Sequence, residues 1–247
     1  MSWTDRFCKS SELTKEEQGR CRQLDSDFSD IIKELNKRGY LRSELRVKKG
    51  EEGRVNSEYV IENVRKVTDA FNKFSLVYGD KEKQSKILEL SKSYGLTAEN
   101  LRYVYFLEMI SVFLQNIEAF RAFLLFIMKL PVPYFVKGKR KTINEKTTLG
   151  PLLKGLKESG IMKANTLNDI DYNLRNGLSH CLFWLEEQGD LEHSKPHLHY
   201  SKDITFKEIE GISIVDFHSK IRKQAIYTLC LLYKILDWFA LSTRNIV

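Results

Sequence analysis

A run of about thirty residues between Thr97 and Pro131 leaves this chain little choice of architecture. Leu101, Val104, Leu107, Ile110, Leu114, Ile117, Phe120 and Leu124 recur at steps of three and four, the period of an α-helix. Such a helix is roughly 45 Å long, and aromatic residues between these positions widen its apolar surface. A surface that wide must be buried on more than one side, against other helices or a second subunit. Gln115, Asn116, Glu118 and Arg121 interrupt it, and we expect them on one solvent-facing stripe rather than in a polar cleft. With 13 Gly and 4 Pro in 247 residues, long helices are favoured over a turn-rich sandwich.

The rest of the chain reads mostly as helix. Thr14 and Glu17 form a capping box, Leu24, Phe28, Ile31, Ile32 and Leu35 follow on one face, and Gly39 stops the helix. KKGEEGRVN, residues 48–56, reads as a loop. A helix over 57–78 is carried by Val60, Ile61, Val64, Val67, Phe71 and Phe74, and Asp80 caps a shorter one ending at Gly95. Residues 131–148 read as a proline- and lysine-containing connection. A short helix over 149–157 stops at Gly160, and Thr166 with Asp169 caps the next. Alternation of Phe183 and Leu185 with Trp184 and Glu186, then turn residues 188–190, predicts a small hairpin reaching Tyr200. Ser213 and Asp216 cap a last helix to about Leu241. The expected fold class is all-α: a helical bundle with a small β-hairpin inserted before the C-terminal helix. Residues 1–95 form a helical region, separate or packed on the bundle, and 96–247 form the bundle domain.

A net charge of +7 and a pI near 9.1 lean towards a polyanionic partner, RNA or DNA before an anionic membrane. Lys137, Lys139, Arg140 and Lys141 in VKGKRKT could hold phosphates by charge, although a solvated loop of like charge is the commoner explanation for such a run. Cys8, Cys21, Cys181 and Cys230 make no C-x-x-C pair; their scatter fits a reducing compartment, with Cys181 and Cys230 buried. The N-terminus lacks the apolar run of a signal peptide, and residues 122–128 are too short an apolar segment to span a bilayer. A cytoplasmic protein with no membrane partner is expected. His193, His197 and His199 cluster, yet no cysteine or carboxylate completes a metal site at suitable spacing, so neither metal nor cofactor is expected.

Chemistry concentrates in DYNLRNGLSHCLFWL, residues 171–185. On a helix Asn176 and His180 share a face, Arg175 must reach sideways, and Gly177 leaves room for a close partner. The set suits cleavage of an RNA phosphodiester by its own 2′-hydroxyl. His180 can take or give a proton near neutral pH, Arg175 can fork onto two phosphate oxygens, and Asn176 can orient the imidazole or donate to phosphate.

LRNGLSH, the preceding LGPLLKGLKESGI, the following CLFWLEEQGDLE and the long terminal helix resemble the HEPN (higher eukaryotes and prokaryotes nucleotide-binding) superfamily over about residues 100–244. Its signature is R-x4–6-H, commonly with Asn, Asp or His after the Arg, and Arg175, Asn176 and His180 match it. The resemblance implies a helical bundle and a metal-independent endoribonuclease in a toxin–antitoxin, abortive-infection or RNA-processing system. It further implies a homodimer with the motif at the interface, and an antitoxin protein as a possible partner. Other members are non-catalytic modules that bind nucleotide, RNA or protein, which is the alternative expectation.

Overall fold

The computed structural model describes residues 3–11, 13–42, 85, 89, 93–95, 98–168, 170–188, 195–201 and 203–243. The connection expected at 48–56, the helix at 57–78 and most of the one after Asp80 lie outside these residues. Helices are α1 (Trp3–Cys8), α2 (Lys15–Lys37), α3 (Ala98–Phe126), α4 (Leu149–Glu158), α5 (Tyr172–Ser179) and α6 (Ile214–Thr243). Strands are β1 (Val132–Val136), β2 (Lys139–Ile143), β3 (Phe183–Gln188), β4 (Lys195–Ser201) and β5 (Ile209–Ser213).

The fold is therefore mixed α/β, not all-α: two antiparallel sheets, ordered β1-β2 and β3-β4-β5, stand among the helices. Two stretches account for the difference. Residues 131–148, expected as a connection, contain the β1–β2 hairpin. Lys137 (φ 48°) and Gly138 (φ 74°) form its two-residue turn, the left-handed pair that matches strand twist. Pro133 suits an edge strand, and β2 is too charged to read as strand by alternation. The hairpin expected at Phe183–Tyr200 is present, with Phe183 opposite Tyr200, but Ile209–Ser213 adds a third strand to it. A five-residue strand ending on a helix cap carries too little pattern to be seen.

The described residues fall into two compact units. The first lies within Met1–Arg65, Glu118–Ile170 and Ile226–Val247, the second within Lys66–Ile117 and Asp171–Ala225, so α3 and α6 each contribute to both. In the first unit the expected capping box is made: Thr14 N–H donates to Glu17 at 2.8 Å and Glu17 N–H to Thr14 Oγ1 at 3.2 Å. Leu24, Phe28, Ile31 and Leu35 of α2 are buried, and Phe28 meets Phe120 at 6.1 Å. Thr4 on α1 donates to the buried Asp237 carboxylate from both its N–H (3.0 Å) and its hydroxyl (2.7 Å). Cys8, Cys21 and Cys230 are buried, and hydrogen bonding within this thiol group, with burial, pushes the Cys230 thiol up. Cys181 does not join them. Expected as buried, it is exposed.

The hairpin sits on α4 through Tyr134 and Ile143, both buried. A Cβ on Gly155 would stand 3.0 Å from Ile143 and 3.1 Å from Tyr134, so this glycine sets the closeness of helix and hairpin. In the second unit Phe217 packs with Phe106 (6.0 Å) and Phe113 (5.6 Å), and Phe183 joins Phe106 at 6.1 Å. Asn116, expected to face solvent, is fully buried, its side-chain amide donating to Val112 O at 2.8 Å. Gln115 is exposed as expected, and Glu118 pairs with Arg121 at 2.9 Å. Phe106–Phe126 is long and apolar enough to cross a bilayer by composition, and half of that stretch is buried within the protein.

Candidate active site

The helix bearing the motif begins later than the Thr166–Asp169 spacing predicts. Asp171 is its N-cap and accepts a hydrogen bond from Leu174 N–H at 2.9 Å; Thr166 is buried in the preceding turns, and Asp169 lies outside the described residues. Lys220 of α6 pairs with the other oxygen of Asp171, neutralising the cap and fixing where α5 starts. Leu174, Gly177 and Leu178 form the buried face, which leaves Arg175 and Asn176 half-buried and His180 exposed.

Arg175 Nη1 donates to Asn176 Oδ1 at 3.2 Å. With one lone pair of its carbonyl oxygen used this way, Asn176 still has its NH2 to donate elsewhere. His180 stands at the very end of the helix rather than within it. It is the C-cap, with φ −98° and ψ 9°, and its N–H reaches Asn176 O at 3.1 Å. The connection of His180 to Asn176 is thus through the main chain.

The helix closes in a Schellman motif. Cys181 N–H bonds Leu178 O (3.2 Å) and Leu182 N–H bonds Gly177 O (2.9 Å), with Cys181 in the left-handed region at φ 57°. Leu182 O then accepts from Ser201 N–H at 2.9 Å, which ties the chain leaving the motif to β4. Gly177 does not make room for an outside partner. A Cβ there would meet Ser201 O at 2.9 Å and the Tyr200 side chain at 3.1 Å, so the space it clears is filled by β4 of the same chain. Burial pushes the Tyr200 phenol well up, as does its hydrogen bond to Glu210, and it stays a neutral donor beneath the helix.

Sequence reasoning missed the other face of the sheet. The register sets Trp184 opposite His199 and Glu186 opposite His197. Trp184 stacks on His199 at 5.2 Å and 15°, Phe206 approaches Trp184 at 6.3 Å, and Gly211 leaves room for the imidazole. His199 Nε2 lies 2.6 Å from Glu186 Oε2, shielded from solvent and off the line of a good hydrogen bond. Strand alternation alone puts His197 and His199 on one face; the register between the two strands, which alternation does not fix, brings Trp184 and Glu186 onto it. His193 lies outside the described residues. Among the described residues no three His, Cys, Asp or Glu side chains are placed to hold a metal ion. Lys137, Lys139, Arg140 and Lys141 are exposed at the turn and along β2 of the first unit, whereas the motif belongs to the second.

No family model, curated protein or solved structure matches the chain.

Proposed function

We propose that this protein is a HEPN-type endoribonuclease that cleaves RNA by 2′-hydroxyl attack, without a metal ion, in a toxin–antitoxin, abortive-infection or RNA-processing setting. The observation that carries the reading is the Arg175–Asn176 pair, 3.2 Å apart, on the last two turns of a helix whose C-cap is the exposed His180. His180 moves the proton, taking it from the 2′-oxygen or giving it to the leaving 5′-oxygen, a role worth about 10²–10⁴ in rate. Arg175 holds the two non-bridging phosphate oxygens as charge builds on phosphorus. Asn176 acts chiefly on Arg175, fixing the guanidinium plane, and its NH2 can donate to the phosphate.

His180 is exposed and Arg175 half-buried, so one copy presents these groups on an open surface. A homodimer with the motif at its interface would enclose them and exclude water. An antitoxin protein would act by covering the same surface.

The test is incubation of the purified protein with mixed RNA in excess EDTA, beside Arg175→Ala and His180→Ala. Products with 2′,3′-cyclic phosphate ends, reduced at least about a hundredfold in His180→Ala, are expected. Activity should fall on dilution as a dimer dissociates. Equal cleavage by all three proteins would remove the assignment, and RNA binding without cleavage by the wild type would make this a non-catalytic module.

A further inference from the structure

We infer that the β1–β2 hairpin is a binding arm for single-stranded RNA, taking a base on Phe135 and Arg140 and the phosphates along Lys137, Lys139 and Lys141. This rests on the reading that the chain acts on RNA, but not on the chemistry of the motif.

The register gives the hairpin two different faces. Val132, Tyr134 and Ile143 are buried on the side that meets α4. Pro133 opposite Thr142 and Phe135 opposite Arg140 make up the other side. Phe135 is 61% exposed. Directly opposed residues on neighbouring strands have Cβ atoms about 5 Å apart, so Arg140 and Phe135 are rooted side by side on an exposed face. Both are flat groups on which any nucleobase can stack. Arg140 shares the Phe135 face, whereas Lys139 and Lys141, opposite Val136 and Tyr134, start from the other face and are exposed, with stems long enough to reach round the strand edge. With Lys137 at the turn, four cations occupy five consecutive positions, 137–141, interrupted only by Gly138. An aromatic platform with positive charge along the adjoining strand edge is a combination that holds single strands with little preference for sequence.

Two features speak against a purely protective role. Lysines on an exposed strand edge do ward off pairing with other chains. That purpose is not served by an exposed phenylalanine on the flat of the ribbon. The turn points the same way. Lys137 sits at φ 48°, where Asn is favoured before Gly in this type of turn. A strained lysine at the tip suggests that its charge, not its conformation, is what the position serves. The arm is also held still: Gly155 seats Tyr134 and Ile143 on α4, so little order need be gained on binding.

The experiment is fluorescence anisotropy with the full chain and a labelled 2′-O-methyl oligouridylate of twelve residues, a probe that 2′-hydroxyl chemistry cannot cut. Phe135→Ala should weaken binding about tenfold through lost stacking. A Lys137→Gln, Lys139→Gln, Arg140→Gln, Lys141→Gln variant should weaken it about a hundredfold at low salt and flatten the log–log salt slope by about two to three. Lys137→Asn is the sharper arm, because it relieves the turn while removing the charge. Its melting temperature should be unchanged or higher and its affinity lower. Unchanged affinity in Phe135→Ala and in the fourfold variant would overturn the proposal. So would tight binding to phosphatidylserine vesicles that needs these residues, with no binding to the oligouridylate. Failure of the motif chemistry looks different: the oligouridylate binds normally, but unmodified RNA stays intact.

Discussion

Helices α4 and α5, one in each unit, face the same problem and meet it with different tolerance. Each is short, each lies on antiparallel strands, and each does so through one glycine, Gly155 or Gly177. Each also closes in a Schellman motif, with Gly160 in the left-handed position of α4 and Cys181 in that of α5. The neighbours differ. A Cβ on Gly155 meets side-chain atoms of Ile143 and Tyr134, which can shift by a few tenths of an ångström. A Cβ on Gly177 meets the main-chain oxygen of Ser201 at 2.9 Å, and that strand cannot shift without disturbing its ladder to β5. The beginnings differ too: Thr148 makes no side-chain cap bond, whereas Asp171 caps α5 and is held by Lys220. The helix with slack carries no motif, and the helix without slack carries Arg175, Asn176 and His180. Under the endoribonuclease reading proposed above, such fixed geometry is what holding a reacting phosphate to within a fraction of an ångström would require.

The largest effect should come from the two glycines. Gly177→Ala should cost about 2–3 kcal/mol, because the backbone clash outweighs the gain in helix propensity, and under the proposed function RNA cleavage should collapse with it. Gly155→Ala should cost under about 1 kcal/mol, since the clash is with movable side chains and Ala is the better helix former. Urea unfolding of the two variants beside wild type decides. Equal costs would mean that α5 has as much slack as α4.

Part of this contrast was legible in the sequence and part was not. Thr14, Glu17, Gly39, Gly160, Ser213 and Asp216 all act at helix ends as their types and spacing suggested, because capping is local chemistry settled within a few residues. The hairpin at Phe183–Tyr200 was legible for the same reason. The sequence shows that Gly177 clears space by lacking a side chain, but not which neighbour fills that space. Only long-range pairing tells that Tyr200 and Ser201 fill the gap. Strand β2 was missed because four of its five residues are exposed and polar, leaving no alternation to read. His180 was placed on a helix that in fact ends one residue before it, and helix ends are where the 3.6-residue period gives least guidance.

The caps come next in size. Asp171→Ala removes both the bond to Leu174 N–H and the pairing with Lys220, and should cost about 1–2 kcal/mol. Asp171→Asn keeps a competent cap and loses only the charge, so it should cost well under half as much. Thr148→Ala in α4 should be nearly silent, there being no side-chain bond to lose. Thermal melts of the three variants give the order. A Thr148→Ala loss equal to that of Asp171→Ala would erase the distinction between the two beginnings.

The smallest effect concerns the left-handed residues, and here the two helices should respond with opposite sign. Gly160→Ala places a Cβ at φ 68° and should destabilise by about 1 kcal/mol. Cys181→Gly relieves a residue already held at φ 57° and should stabilise by a similar amount. The same substitution removes the exposed thiol while leaving Cys8, Cys21 and Cys230 buried, so brief alkylation of the native protein should label wild type once and Cys181→Gly not at all. That labelling checks the exposure on which the stability argument depends, since a buried Cys181 would offset the relieved strain by lost packing. If Cys181→Gly is stabilising, the chain forgoes about 1 kcal/mol directly after His180, at the end of the helix that positions it. Strain tolerated there, and avoided at Gly160, marks the α5 end as the one held for something other than stability.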